Sequence, residues 1–417
     1  MMVIVMQNTP ICPHAKLCGG CQYQGLAYAE QLAKKQAQAE ALFSSFAPVA
    51  PILGADEPLH YRNKVHAAFG CDRQRRIISG VYQPGSHAIV PVDDCLIEDE
   101  TSDRIVCAIR ALLPKLKIPV YDERRGGGWL RHVLVRRGFA TGELMVVLVA
   151  VSPVMKNQKA FLSELRAAFP AIRTVVLNVN ERFGPVVLGP KNKVLYGDGY
   201  IEDILCGLRF RISPSAFYQI NSAQCEKLYA KAIEFAGLTG TETVLDAYCG
   251  VGTIGLCAAA KAKQVIGVEL NREAVRDAIA NARLNGIKNA WFAAGDAGAY
   301  MEGMLREGRR PDVVLMDPPR AGSDRRFLDA LIRCAPSRVV YVSCGPETLR
   351  RDLEILTRGG YRVDAVQPVD MFPFTEHIET VVLMERSICK TKKIYKNKIC
   401  KICPTNHNEK RIINYET

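Results

Sequence analysis

The stretch ETVLDAYCGVGTIG, residues 242–255, decides the fold. Its first half reads as a buried β-strand. Its second half reads as a glycine-rich turn that opens a helix over GTIGLCAAAKA. Gly250, Gly252 and Gly255 form a G-x-G-x-x-G pattern, whose missing side chains permit a tight turn and close approach of a ligand. Outward from this unit, strand and helix alternate. QVIGVEL is followed by REAVRDAIANARLNG, a helix ending at Gly286, and AWFAAGD, DVVLMDPP, VVYVSC, RVDAVQPVDMF and IETVVLMER supply further strands. That rhythm predicts an α/β fold with a doubly wound, mostly parallel sheet. QPVDMFPFTEHIETVVLME reads as two strands joined by a loop, so the sheet should end in an antiparallel hairpin. Upstream, residues 28–46 have the composition and apolar spacing of one amphipathic helix. Residues 50–212 read as strand-rich, with turns at YQPGS and RRGGGW. Three regions are therefore expected: 11–212, 213–386, and a basic tail 387–417 that lies disordered outside the fold.

The chain has 417 residues, 48% apolar and 24% charged, an ordinary soluble balance. No apolar run is long enough to cross a bilayer, and MMVIVMQNTP lacks the basic and apolar regions of a signal peptide. A cytoplasmic protein is expected, and its fifteen cysteines then point to reduced thiols, metal ligands or catalysis rather than a disulfide framework. The formal charge is +12, of which eight Lys/Arg against two Glu in residues 387–417 supply +6. The remaining +6 on the body favours a nucleic-acid partner only mildly.

Glu269 ends the strand after the glycine turn, 23 residues beyond Asp246, where an acid can accept hydrogen bonds from both ribose hydroxyls of an adenosine. The glycines alone fit a dinucleotide dehydrogenase or a methyltransferase. MDPPRAG favours the second, because Asp317-Pro318-Pro319 sets a rigid loop at the end of the fourth strand. In VVYVSCGPETLRRD the strand ends on Cys344, Pro346 suits the first helical turn and Glu347 its positive end. A thiol before a helix N-terminus is expected to have a lowered pKa. In FTEHIETVV, Glu376 and Glu379 flank His377 and Ile378. Thiolate and carboxylate beside a methyl donor suit methylation of carbon 5 of uracil. The thiolate adds to carbon 6, carbon 5 takes the methyl, and a base removes the carbon-5 hydrogen. The spacing itself leaves Glu376 and Glu379 open as that base.

On these motifs the sequence resembles the RNA uracil-C5 methyltransferases that make 5-methyluridine, in particular the iron–sulfur members acting on 23S ribosomal RNA. The resemblance runs over roughly residues 10–386. It implies a Rossmann-like S-adenosylmethionine-dependent domain, Cys344 as nucleophile and Glu379 as general base. It further implies donor contacts at Gln219 in SAFYQIN, Tyr248, Glu269 and Asp317, the last able to touch the uracil instead. Gly345 stands where the family more usually has Asn. CPHAKLCGGC spaces Cys12, Cys18 and Cys21 as C-x5-C-x2-C, and four thiolates suit either zinc or an iron–sulfur cluster. The residues leave Cys71 and Cys95 open as the fourth ligand; the resemblance selects Cys95 and a [4Fe–4S] cluster, with His14 a loop residue. Some relatives carry an extra N-terminal β-barrel, and none is expected here.

RNA grip is expected from ERRGGGWLRHVLVRRG, where Trp129 and His132 accompany five arginines, with Arg73, Arg75 and Arg76 as a second basic turn. The bland alternative is a solvated strand face. The target base must be unpaired or flipped, which favours a loop in structured RNA. A monomer is expected. Competing readings are a transfer-RNA methyltransferase, a dinucleotide-dependent iron–sulfur oxidoreductase and a non-catalytic RNA-binding protein. In the tail, Cys389, Cys400, Cys403 and His407 read as disordered chain rather than a zinc knuckle.

Overall fold

The computed structural model describes residues 11–387, apart from 124, 183 and 185. The tail from residue 388, with its cysteines, lies outside the described residues. Everything described up to Arg386 belongs to one compact unit.

The predicted doubly wound sheet is present. Its strands are β10 (Thr243–Ala247), β11 (Gln264–Glu269), β12 (Ala290–Ala294), β13 (Val313–Met316), β14 (Arg338–Ser343), β15 (Tyr361–Val369) and β16 (Glu379–Arg386), in spatial order β12-β11-β10-β13-β14-β16-β15. The first five are parallel, and β16 runs antiparallel between β14 and β15. Side chains alternate across the sheet with the two-residue period of a strand. Val340 and Val342 of β14 face one apolar core, while Val339 and Tyr341 face another. The intervening helices start where the sequence supplies a short polar cap. Asn221 caps α5 (Ser222–Ala236), Asn271 caps α7 (Arg272–Leu284), Asp296 caps α8 (Ala297–Arg306) and Asp324 caps α9 (Arg325–Cys334). Helix α6 (Thr253–Ala259) follows the glycine turn, and α10 (Pro346–Arg358) has Pro346 in its first turn.

The upstream region is a second seven-stranded sheet. In chain order it comprises β1 (Lys64–Cys71), β2 (Ile77–Tyr82), β3 (Ile89–Pro91), β4 (Leu130–Arg137), β5 (Leu144–Ala150), β6 (Ile172–Val179) and β7 (Lys191–Tyr196). Sequence reading found strands here but no helices. The structure adds α3 (Glu100–Lys115) and α4 (Gln158–Ala168), whose Ile105, Ile109, Leu113, Phe161 and Leu165 cover one face of the sheet. The other face shares a core with α5, α6 and the hairpin β8 (Ile201–Leu205)–β9 (Leu208–Ile212). After a single helical turn, α1 (Ala15–Cys18), the predicted amphipathic helix is α2 (Tyr28–Phe43). Its Ala39 and Phe43 pack on the β10–β16 sheet.

One buried ion pair fixes α2 there. The Lys35 ammonium lies 2.6 Å from Asp370 Oδ1 and 3.0 Å from the Phe372 carbonyl, and both charged side chains are fully buried. The Tyr28 hydroxyl donates to Asp370 Oδ2 at 2.8 Å. This anchor holds the start of the loop that leads from β15 into β16. Lys35→Met leaves the Asp370 charge buried with no cation, and is expected to cost about 3–5 kcal/mol of stability by urea unfolding. The double variant Lys35→Met/Asp370→Asn removes that stranded charge and should lose less.

Candidate active site

The carboxyl ends of the parallel strands carry the chemistry-bearing residues, as open α/β sheets require. At the end of β10 the chain turns through Gly250 (φ 55°) and Gly252 (φ 83°), left-handed values that favour glycine. A Cβ built on Gly250 would meet nothing within 4 Å, so the turn opens onto free space. Asp246 accepts from the Gly255 N–H at 2.9 Å and closes the turn from beneath. Burial is the main cause that pushes its carboxyl up to about 8, and Asp317 and Glu269 lie close enough to add to it. Glu269 accepts from the N–H groups of Gly250 (3.1 Å) and Asn271 (2.8 Å), which fixes its carboxylate at the end of β11. Tyr248 takes a left-handed φ of 65° and tilts its ring against Phe327. Gln219 precedes α5, buried, with its carbonyl held by the Asn63 amide at 2.8 Å.

Cys344 follows β14 directly and opens on a cleft of about 620 Å³. Four other segments line that cleft: Tyr23 in the cysteine loop, Gln38 on α2, Arg320 after β13, and Glu376–Ile378 before β16. The register Ser343↔Thr380 brings the first residue of β16, Glu379, alongside the end of β14. Glu379 is buried, and its Oε2 has no hydrogen-bond partner. Burial, then the Asp317 charge, pushes its carboxyl well above the usual range, against the opposing pull of Arg320. Glu376 instead stands exposed at the rim. Burial thus separates two acids that spacing in the sequence could not.

The thiol is not poised as the sequence suggested. Instead of being lowered by the helix terminus, the Cys344 pKa is pushed up to about 11. Burial is the largest cause, followed by the charges of Glu379 and Asp317, with Arg320 opposing them. Asp317 is itself pushed up to about 7 by burial. The site is therefore proton-rich. Arg320, which the sequence reading passed over, completes it together with His377. Arg320, the arginine of MDPPRAG, donates to His377 Nδ1 at 2.9 Å, which requires that nitrogen to be unprotonated. At Gly345 a Cβ would fall 2.6 Å from the Arg320 carbonyl and 2.6 Å from Thr348 Oγ1. The glycine in place of the more usual Asn therefore lets the Arg320 loop close down beside Cys344.

The predicted cluster ligands come into one neighbourhood without forming a ligand set. Cys21 is pushed up to about 11 by burial and by the charge of Cys18, with Cys12 also contributing. Cys21 and Cys95 pack against the same apolar group of Tyr61, Ile97 and Phe374. Among the described residues, no three His, Cys, Asp or Glu side chains form a group that could hold a metal ion. Cys71, the other residue considered as fourth ligand, is exposed at the end of β1.

The expected arginine-rich grip holds only in part, because several of its members are buried. Trp129 is buried and its indole N–H donates to the Ser152 carbonyl at 3.1 Å. Arg131 is buried on the carbonyls of Asn180 and Arg182, and Arg136 on those of Ser213 and Ala216. His132 is buried beside His66, and Arg137 pairs with Asp99 at 2.6 Å. Trp129, Arg131, His132 and Arg136 tie loops to the upstream sheet from buried positions, while Arg137 stays partly exposed. Arg125 remains exposed, as do Arg73, Arg75 and Arg76. No helix among the described residues is long and apolar enough to cross a membrane.

The family model described as tRNA (Uracil-5-)-methyltransferase matches residues 27–387. An uncharacterized RNA methyltransferase of Halalkalibacterium halodurans is 45% identical over 379 residues, 90% of this chain and 82% of that one. Another, from Caldanaerobacter subterraneus, is 44% identical over 381 residues, 90% of this chain and 84% of that one. Among solved structures, the tRNA (uracil-54, C5)-methyltransferase of Pyrococcus abyssi in complex with S-adenosyl-L-homocysteine superposes with a TM-score of 0.73 at 28% identity. That match covers 88% of this chain and 86% of the other.

The proton-rich site sets a measurable property. Alkylation of Cys344, followed by mass spectrometry of its peptide, should be slow near neutral pH and rise toward about pH 11. Glu379→Gln removes a charge that repels the thiolate, so it should shift that rise to lower pH.

Proposed function

The chain belongs to the tRNA (Uracil-5-)-methyltransferase family, and we propose that it methylates carbon 5 of a uracil in 23S ribosomal RNA through a transient bond from Cys344 to carbon 6. Membership makes it an RNA uracil-5-methyltransferase and sets aside the dinucleotide reading of the glycine turn. The observation that carries the mechanism is the meeting of Cys344 with the buried, unpartnered Glu379 at one strand end.

S-adenosylmethionine, when bound, supplies an electrophilic methyl on a positively charged sulfur. The open turn at Gly250 and the fixed carboxylate of Glu269 suit that group, with Gln219, Tyr248 and Asp317 as its further contacts. Cys344 must first lose its proton, and Asp317, whose charge is felt at the thiol, is a carboxylate that can accept it. The thiolate then bonds to carbon 6, and the ring electrons shift to carbon 5, which takes the methyl. Glu379, once ionised, removes the carbon-5 hydrogen; its buried setting makes it a stronger base than an exposed carboxylate. The electrons of that C–H bond re-form the ring double bond and expel the Cys344 thiolate. Arg320, held by His377, places a positive charge beside these anions.

The preference for ribosomal RNA rests on the resemblance of the front cysteine motif to the iron–sulfur branch. Likeness to the archaeal enzyme, whose name specifies uracil 54 of transfer RNA, favours a transfer-RNA substrate as the second reading. We also propose that Cys12, Cys18, Cys21 and Cys95 hold a [4Fe–4S] cluster, supported by their spacing and shared neighbourhood. No step of the reaction passes through it. A cytoplasmic, monomeric enzyme accords with this reading.

Cys344→Ala should abolish methyl transfer and retain donor binding by calorimetry. Glu379→Gln should stall elimination and accumulate a covalent RNA–protein adduct, seen as a shifted band on a denaturing gel. Mass spectrometry of ribosomal and transfer RNA from cells with and without the gene identifies the substrate. Anaerobically purified protein should show broad visible absorbance that Cys95→Ala reduces; a colourless protein carrying zinc would replace the iron assignment.

A further inference from the structure

We propose that the outer part of the Cys344 cleft is a second nucleotide subsite, in which Tyr23 and Glu376 hold a base with an exocyclic amino group next to the target uracil. This rests on the reading of the chain as an RNA uracil-5-methyltransferase. One continuous cleft of about 620 Å³ joins Tyr23 and Glu376 to Cys344. A uracil presented to Cys344 occupies only part of that space, and an RNA strand brings a neighbouring nucleotide with it.

The two walls are built as a unit. The Tyr23 N–H donates to the Phe374 carbonyl at 3.0 Å. The Gln22 side chain accepts from the Glu376 N–H at 3.3 Å. The cysteine loop is therefore tied directly to the loop that carries Glu376, and the backbones that bear the ring and the carboxylate keep a fixed relation. Beneath the ring, the Lys35 ammonium lies 5.9 Å from its centroid. Lys35 is itself locked to Asp370, so the ring rests on a rigid floor.

The chemistry of the walls selects the occupant. A partly exposed aromatic ring offers a stacking face for an unpaired base. A carboxylate only accepts hydrogen bonds and repels phosphate, so this end of the cleft suits a base rather than the backbone. Adenine, cytosine and guanine present an amino group to such an acceptor. Uracil presents one N–H between two carbonyl oxygens, which the second carboxylate oxygen repels. The structure thus assigns Tyr23 to grip and Glu376 to selection.

The test uses the full chain and labelled single-stranded RNA heptamers with a central uridine flanked by A only, C only or U only. Fluorescence anisotropy of the wild type should show tighter binding of the A- and C-flanked probes than of the U-flanked one, on the order of tenfold. Tyr23→Ala should weaken all three by on the order of tenfold or more, and Tyr23→Phe should restore binding. Glu376→Gln should abolish the preference among flanks. Variants that bind as the wild type does, a wild type indifferent to the flanks, or one that grips none of the heptamers each overturn the subsite. A wild type that shows the preference yet methylates no RNA from cells lacking the gene leaves the subsite standing and overturns the functional reading instead.

Discussion

The antiparallel run of β16 beside β14 is the constraint on which the rest depends. Parallel strands all deliver their carboxyl ends to one edge of the sheet, and Cys344 and Asp317 arrive there on β14 and β13. A strand that must offer its first residue to the same edge has to run the other way. β16 does so, and the pairing of Ser343 with Thr380 puts Glu379 beside the thiol. Placing β16 between β14 and β15, rather than at the sheet edge, also buries that acid.

Burial then sets the electrostatics. Cys344, Asp317 and Glu379 are all acids, and crowding them in a place of low polarisability raises each. The fold counters with a near cation, Arg320, seated by His377 and admitted by the bare Cα of Gly345. Such a site favours ligands that carry positive charge inward. It also keeps the Cys344 thiol quiet until they arrive, because a neutral thiol reacts poorly with electrophiles.

Much of this was legible in the sequence, and the exceptions have physical causes. Strand–helix alternation and the Gly250–Gly255 turn gave the catalytic sheet, because buried parallel strands read as short apolar runs. VSCGP marked Cys344 through local punctuation alone. The fate of the arginines was not local. Arg131 and Arg136 look like phosphate ligands in a string of letters, yet each ends on buried carbonyls supplied from some 50 to 80 positions away. Helix α3 was missed because its apolar spacing was absorbed into a region read as strands. The thiol's pKa was misjudged because a helix terminus is visible in sequence, whereas the burial of Cys344 and the two carboxylates near it are not. Tyr23 gave no signal at all, since its partner Phe374 lies at the far end of the fold.

The same interleaving has a consequence for biosynthesis. Strand β16, the central partner of β14 and β15, emerges from the ribosome after both of them. Until it does, β14 keeps one bare hydrogen-bonding edge and β15 has no strand to pair with. The nascent chain is thus without the Cys344–Glu379 pairing for almost its whole length. Closure of the sheet and the meeting of Cys344 with Glu379 are one late event, so a chain interrupted before residue 379 lacks that pairing and is left with bare, sticky strand edges.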